Sequence, residues 1–232
     1  MSGAGGADIH TQHLNVTPTL TELFEQHTGL PSYKFPHYLE AYERHLGRFR
    51  DQAIVLLEIG VFRGGSLQVW RKAFPKAKIV GVDITPPARL ADLEREGILF
   101  FQGSQTDAAF LKGVVEKVGP PSIVIDDASH WPHHQIAGLK TLLPLMTSDG
   151  VYCVEDTCMG YYWLVRGGPI HWFNRFMARK VRELNGHHHS PSVFTVTTRS
   201  IHHYDSLVII ERGTHVKPET RIYGTPEKSP TA

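Results

Sequence analysis

The sequence predicts an α/β protein on a Rossmann-like plan: a parallel sheet covered by helices and closed at one edge by an antiparallel strand pair. Three observations carry this. From Ala53 onward, short continuous apolar runs alternate with amphipathic segments, as strands buried on both faces of a parallel sheet require. The last two β-rich runs stand only a few residues apart, too close for a helical crossover, so they should pair antiparallel. With 232 residues, 41% of them hydrophobic, the chain suits one compact domain with appendages.

In chain order, residues 1–16 are small and polar and are expected to form a flexible N-terminus. Thr19 and Glu22 make a capping-box pair ahead of Leu23 and Phe24, which predicts a helix to about His27. Tyr38, Leu39, Tyr42 and Leu46 recur at helical spacing after Pro36 and predict a second. Together these helices, within 17–50, read as an N-terminal helical lid. Strands are expected at 54–59, 78–82, 98–101, 122–125 and 151–154, with helices at 66–74, 87–95, 107–118 and 132–145. A helix near 170–184 then precedes two terminal strands, 193–199 and 206–211. The domain so defined spans 17–212, and the tail 213–232, with Pro218, Pro226 and Pro230, reads as loop.

Composition narrows the function classes. A net charge of +1, from 24 Lys+Arg against 23 Asp+Glu with no basic run, gives no footprint for nucleic acid. Two cysteines, Cys153 and Cys158, cannot build a disulfide framework and read as reduced thiols of a cytoplasmic protein. The start of the chain lacks the charged and apolar regions of a signal peptide, and no apolar run approaches the ~20 residues of a membrane span. Fifteen histidines stand out, and composition alone leaves a metal-rich binder and a bland surface enrichment both open.

The first predicted strand runs into Leu57-Glu58-Ile59-Gly60-Val61-Phe62-Arg63-Gly64-Gly65-Ser66. Glycines at a strand-to-helix turn allow close backbone approach to a ligand, at the sheet edge where open α/β proteins bind them. The spacing is G-x-x-x-G-G, whereas dinucleotide binders use G-x-G-x-x-G. Glu58 would repel a pyrophosphate but suits a cationic ligand, and S-adenosylmethionine carries an ammonium and a sulfonium without phosphate. Glu58, Gly60, Gly64 and Ser66 are therefore candidate cofactor residues. Asp83, ending the second strand, could accept ribose hydroxyls. Gln102, Ser104 and Gln105, following the third, could read an adenine edge, while Asp107 also fits a helix cap.

The fourth strand ends Ile125-Asp126-Asp127-Ala128-Ser129-His130 and the fifth Val154-Glu155-Asp156-Thr157. Neighbouring parallel strands would bring four carboxylates and an imidazole together, which is costly unless a cation neutralises them. A hard, oxygen-rich donor set favours Mg2+, or alternatively Mn2+ or Ca2+, over zinc. Asp127, Glu155 and Asp156 are the candidate ligands. Asp126 is a candidate on the cofactor side, with a cap or a loop-amide acceptor as its alternative. His130 is positioned to take a proton from a hydroxyl, since an imidazole changes charge near neutral pH. The His130-x-x-His133-His134 spacing departs from the His-Glu-x-x-His zinc motif.

At these residues the chain resembles the class I SAM-dependent, metal-dependent O-methyltransferases that modify sugars of macrolide-type natural products, such as the mycinamicin and macrocin enzymes, and their short bacterial relatives. The resemblance runs from His37-Tyr38-Leu39-Glu40-Ala41-Tyr42-Glu43 to Glu211. It includes 57–66, 125–130 and Thr198-Arg-Ser-Ile-His-His-Tyr-Asp-Ser206. It implies a class I methyltransferase fold, Mg2+ held by Asp127, Glu155 and Asp156, His130 as general base, and Asp83 at the ribose. It further implies a glycosylated small-molecule acceptor and a homo-oligomer, dimer or larger. The departures are Ala128 where glycine is usual, Ser104 where an Asp is common, and two short helices where the larger enzymes have an N-terminal domain. Tyr161, Tyr162, Trp163 and Trp172 could stack on an acceptor ring or pack a lid. Two other classes stay open: an oxidoreductase component like the β-lactam hydroxylase on this scaffold, and a non-catalytic SAM-binding module.

Overall fold

The computed structural model describes residues 17–158, 172–188, 190–221 and 223–224. The expected flexible segment 1–16, the aromatic trio Tyr161, Tyr162 and Trp163, His189, and the tail prolines Pro226 and Pro230 lie outside the described residues.

Seven strands form one sheet in the order β3-β2-β1-β4-β5-β7-β6. They are β1 Val55–Ile59, β2 Lys78–Asp83, β3 Leu99–Gln102, β4 Ile123–Asp126, β5 Val151–Val154, β6 Thr198–Tyr204 and β7 Leu207–Arg212. The first five are parallel; β7 runs antiparallel to both β5 and β6. The expected antiparallel closure is therefore present, and the order reverses direction between β1 and β4. That reversal opens a crevice at the carboxyl ends of the two strands.

Helices follow the strands: α1 Leu20–Glu25, α2 Pro36–Leu46, α3 Gly65–Ala73, α4 Leu90–Arg95, α5 Ala108–Val118, α6 Pro132–Leu142, α7 Trp172–Leu184 and α8 Val193–Thr197. The Thr19–Glu22 capping box closes α1, and Asp107 caps α5 by accepting the Phe110 amide at 2.9 Å. Pro36 opens α2, where its missing N–H costs nothing. Two apolar layers result. One face of the sheet packs Leu20, Tyr38, Tyr42, Leu46, Trp70 and Phe74; the other packs α5, α6 and α7 through residues such as Leu111, Leu142 and Met177. The helices expected to form a lid are thus built into the first layer. Only the connection between them, through Lys34, reaches over the crevice.

One strand assignment needs correction. Residues 193–197, β-branched and expected as strand, form the short helix α8, and β6 begins at Thr198. Ser192 caps this turn through Thr195 and also bonds Glu183 of α7, so a local capping box outweighs β propensity.

Candidate functional site

Register explains how distant residues meet. Ile59 lies beside Asp126, and Asp126 beside Val154, so Gly60, Asp127 and Glu155 step off the sheet edge side by side. Amides stitch these steps together: Asp127 N–H donates to Ile59 O at 2.8 Å and Glu155 N–H to Asp126 O at 2.9 Å. Gly60 has φ +94°, and a Cβ there would lie 2.2 Å from the Asp127 carbonyl oxygen. Its conformational freedom is therefore needed to let the β1 and β4 turns touch.

A cleft of about 520 Å³ opens at this edge, lined by Ser32, Lys34, the Gly60–Phe62 turn, Ser66, Asp127, His130 and Asp156. Asp127, His130 and Asp156 each offer a donor atom within 4.8 Å of the others. His130 Nε2 lies 3.7 Å from Asp156 Oδ2. Both residues carry positive φ, 56° and 53°, a strained backbone for a side-chain-bearing residue that such sites concentrate. Tyr38 Oη–H donates to Asp156 Oδ1 at 2.8 Å and fixes its direction. Ala128, where a glycine was expected, does not have positive φ and so is unstrained.

Glu155 faces the other way. Its buried Oε1 accepts from Lys34 Nζ at 2.5 Å and from Tyr42 Oη at 2.6 Å. Lys34 Nζ also meets Asp127 Oδ2 at 2.6 Å and Glu58 Oε1 at 3.2 Å, and its side chain is 3% exposed. Burial alone would push the Lys34 ammonium down, but Asp127, Glu155 and Glu58 hold it well above its ordinary value. Burial raises the Glu58 and Glu155 carboxyls, and the ammonium opposes that rise. Sequence reading missed Lys34 and Tyr42. The only signal for Lys34 was a lone basic residue between Tyr33 and Phe35, and Tyr42 was legible only as part of a helix face.

The cofactor-side candidates divide. Glu58 Oε2 accepts from Ser66 Oγ at 2.8 Å beneath the cleft. Asp83 Oδ2 accepts the Val61 and Phe62 amides at 2.8 and 3.2 Å, which shapes the glycine turn. Gly64 has φ +92° at the start of α3. Gln102 donates to Ile84 O at 3.1 Å, and Ser104 pairs with Thr106 at 2.9 Å, both in exposed surroundings. Gln105, expected at the adenine edge, and Asp126, a cofactor-side candidate, both face the interior. The Gln105 amide nitrogen donates to both Asp126 carboxylate oxygens, at 3.0 and 3.1 Å, in the buried interior. Burial, above all, pushes the Asp126 carboxyl up to about 7.

His202, in the 198–206 stretch that carries the resemblance, does not line this cleft. Its ring lies 4.4 Å from that of His45 and tilted by 55°; His45 Nδ1 is 2.7 Å from Glu211 Oε1 and its Nε2 2.8 Å from Tyr204 Oη. Both nitrogens of His45 are spent, tying α2 to the terminal strand pair. His203 lines a separate groove with Thr157 and Cys158.

The cleft suits a hard cation. Its donors are carboxylates and an imidazole, an ammonium already stands among them, and His130 Nδ1 is buried without a hydrogen-bond partner among the described residues. The family profile described as Rhamnosyl O-methyltransferase/CmcI matches residues 23–164, more than half of the chain. The chain belongs to this family. Within the rhamnosyl O-methyltransferase/CmcI family, it is similar to two Streptomyces olivaceus enzymes. One is the 8-demethyl-8-(2-methoxy-alpha-L-rhamnosyl)-tetracenomycin-C 3'-O-methyltransferase, 42% identical over 131 residues, covering 52% of this chain and 33% of the relative. The other is the 8-demethyl-8-alpha-L-rhamnosyl tetracenomycin-C 2'-O-methyltransferase, 29% identical over 91% of this chain and 57% of the relative. Among solved structures, the MycE methyltransferase in complex with Mg, SAH and mycinamycin VI matches with a TM-score of 0.73. It is 30% identical over 85% of this chain and 54% of that one. The chain thus spans about a third to a little over half the length of these relatives. The shared fold is the class I methyltransferase sheet.

Proposed function

We propose that the chain is a SAM-dependent O-methyltransferase that methylates a hydroxyl on the sugar of a glycosylated natural product, with Mg2+ as its metal. The observation that carries this reading is the Asp127–His130–Asp156 cluster opening onto the crevice between β1 and β4, in a chain of this family. The similar proteins are named as sugar O-methyltransferases, and the matching MycE structure contains Mg and SAH.

Asp127, Glu155 and Asp156 would hold the metal. When bound, such an ion orients vicinal oxygens and lowers the pKa of the one to be methylated. His130, beside Asp156 at the cleft wall, would take the hydroxyl proton on Nε2. Glu58, anchored by Ser66, would face the methionine ammonium of SAM, and Asp83 keeps acceptor capacity for ribose while shaping the glycine turn. Gln102 and Ser104, in exposed surroundings at the end of β3, would meet the adenine end. The Gln105 and Asp126 side chains support the floor from inside. The walls exclude water and hold methyl donor and acceptor together, which supplies much of the acceleration in such transfers.

A cytoplasmic location belongs to the same reading and is supported by two free thiols, Cys153 and Cys158. Among the described residues no helix is long and apolar enough to cross a membrane. A homodimer or larger assembly is proposed on the family resemblance, and light scattering would test it. The activity is tested with labelled SAM and a panel of rhamnosylated and other glycosylated aglycones, with Mg2+ or chelator. Label should enter a glycoside only with metal. His130→Gln should lower turnover while leaving SAM affinity intact. Full transfer in chelator would remove the metal, and unchanged turnover in the variant would remove the base.

A further inference from the structure

Lys34 has no part in the reaction as derived, yet it makes the densest set of ion pairs among the described residues. One ammonium touches Glu58, Asp127 and Glu155, from β1, β4 and β5, which are 24, 93 and 121 residues away in sequence. Three carboxyl groups converge on one buried ammonium, and Asp156 stands beside Asp127.

The carrier of Lys34 runs from an anchored Leu30–Pro31 to the start of α2 at Pro36. His27 Nε2 lies 2.9 Å from Leu30 O, Leu30 N–H donates to Gln68 Oε1 at 2.7 Å, and the Leu30–Pro31 backbone packs on Gly65, where a Cβ would meet Leu30 O at 2.2 Å. Beyond Pro31 the hold weakens. Ser32 Oγ is buried without a partner among the described residues, and Tyr33 and Phe35 are 69% and 49% exposed. Residues 32–35 thus form a strap across the cleft, tied at its far end where Phe35 O accepts the Tyr38 amide at 3.0 Å and at its middle by the Tyr33 ring edge-on to Phe62, and Lys34 is its side chain that reaches the carboxylates.

We propose that Lys34 is an internal counter-cation that a divalent metal displaces, so that loading the site exchanges the ammonium for the ion at Asp127 and Glu155 and frees the strap over the cleft. This rests on the metal reading above. It also accounts for Glu155, which the family resemblance places among the ligands while the structure shows it bound to Lys34. A fixed ion pair would make Lys34 a permanent neighbour of the metal; an exchangeable one makes it a competitor.

The test uses the full chain and two readouts that do not depend on turnover. Mn2+ is titrated calorimetrically into the wild type and Lys34→Met. Removing the competing cation should tighten Mn2+ binding at least tenfold. In the wild type, amine acetylation followed by mass spectrometry should label Lys34 several-fold faster with saturating Mg2+ than with chelator, because displacement brings the buried amine to solvent. This second measurement stands even if Lys34→Met fails to fold. Equal or weaker Mn2+ binding in the variant, or Lys34 labelling that metal leaves unchanged or slows, overturns the exchange while leaving the metal site intact. If the wild type binds no divalent cation, the metal reading itself falls, and the exchange with it.

Discussion

Gly60→Ala offers the sharpest structural test. The added Cβ would sit 2.2 Å from the Asp127 carbonyl oxygen and 2.5 Å from Ala128 Cα, where ordinary contacts begin at 3.4 Å. Both partners are backbone, so the turn after β4 must retreat by about 1 Å. The φ of +94° adds roughly 1–2 kcal/mol of left-handed strain, and the forced shift adds about 1–3 kcal/mol. For a domain of this size each kcal/mol lowers Tm by roughly 2–4 °C, so a fall on the order of 10 °C is expected. The moved turn carries Asp127 and His130, and a displacement of about 1 Å at reacting groups costs on the order of 100-fold in rate. Thermal unfolding, Mn2+ titration and labelled methyl transfer would read all three consequences. Gly113→Ala is the control. It lies within α5 with nothing inside 4 Å of the new Cβ, and alanine should stabilise by about 0.5–1 kcal/mol. If Gly60→Ala matched the wild type in Tm and Mn2+ affinity, the close approach of the two turns would not be what fixes Asp127.

Three further outcomes are expected. Tyr42→Phe removes the hydroxyl that Glu155 accepts from at 2.6 Å and should cost about 1.5–3 kcal/mol in urea unfolding with an unchanged m-value. Mg2+ at about 100 times its Kd should stabilise the wild type by roughly 2.7 kcal/mol, an effect that Asp127→Asn or Asp156→Asn should abolish. Asp126 keeps its proton in the metal-free native state to about pH 7, whereas the unfolded chain releases it from about pH 4. The native state binds more protons in that window, so this group's contribution to stability falls as pH rises through it, by up to roughly 4 kcal/mol. The stability difference between Asp126→Asn and the wild type should therefore change between pH 4 and 7, and a difference constant with pH would contradict the burial argument.

Much of this architecture was legible because local signals and burial agreed. Four of the five apolar runs became strands buried on both faces, and the fifth became the partly exposed edge strand β3. The Thr19–Glu22 pair capped a helix, and the Asp126-Asp127 and Glu155-Asp156 pairs reached the sheet edge because the parallel register left them nowhere else to go. What failed needed tertiary information. Residues 193–197 look like strand until Ser192 finds Glu183, an acceptor supplied by another helix. Gln105 resembles a ligand-reading amide until the pleat turns Asp126 inward to meet it. Lys34 could not be found, since its partners come from three strands far along the chain, and the outward or inward course of one lysine leaves no periodic trace. Of the fifteen histidines, first suggestive of a metal-rich protein, His130 alone lines the crevice among the described residues, while His45 ties α2 to Glu211 and Tyr204 beside His202.

The most direct test of the central claim is calorimetric titration of S-adenosylhomocysteine and, separately, NADH into the Mg2+-loaded chain. A SAM crevice predicts one-to-one binding of S-adenosylhomocysteine, weakened by Glu58→Gln and Asp83→Asn, with no binding of NADH. Binding of NADH alone, or of neither nucleotide, would contradict it.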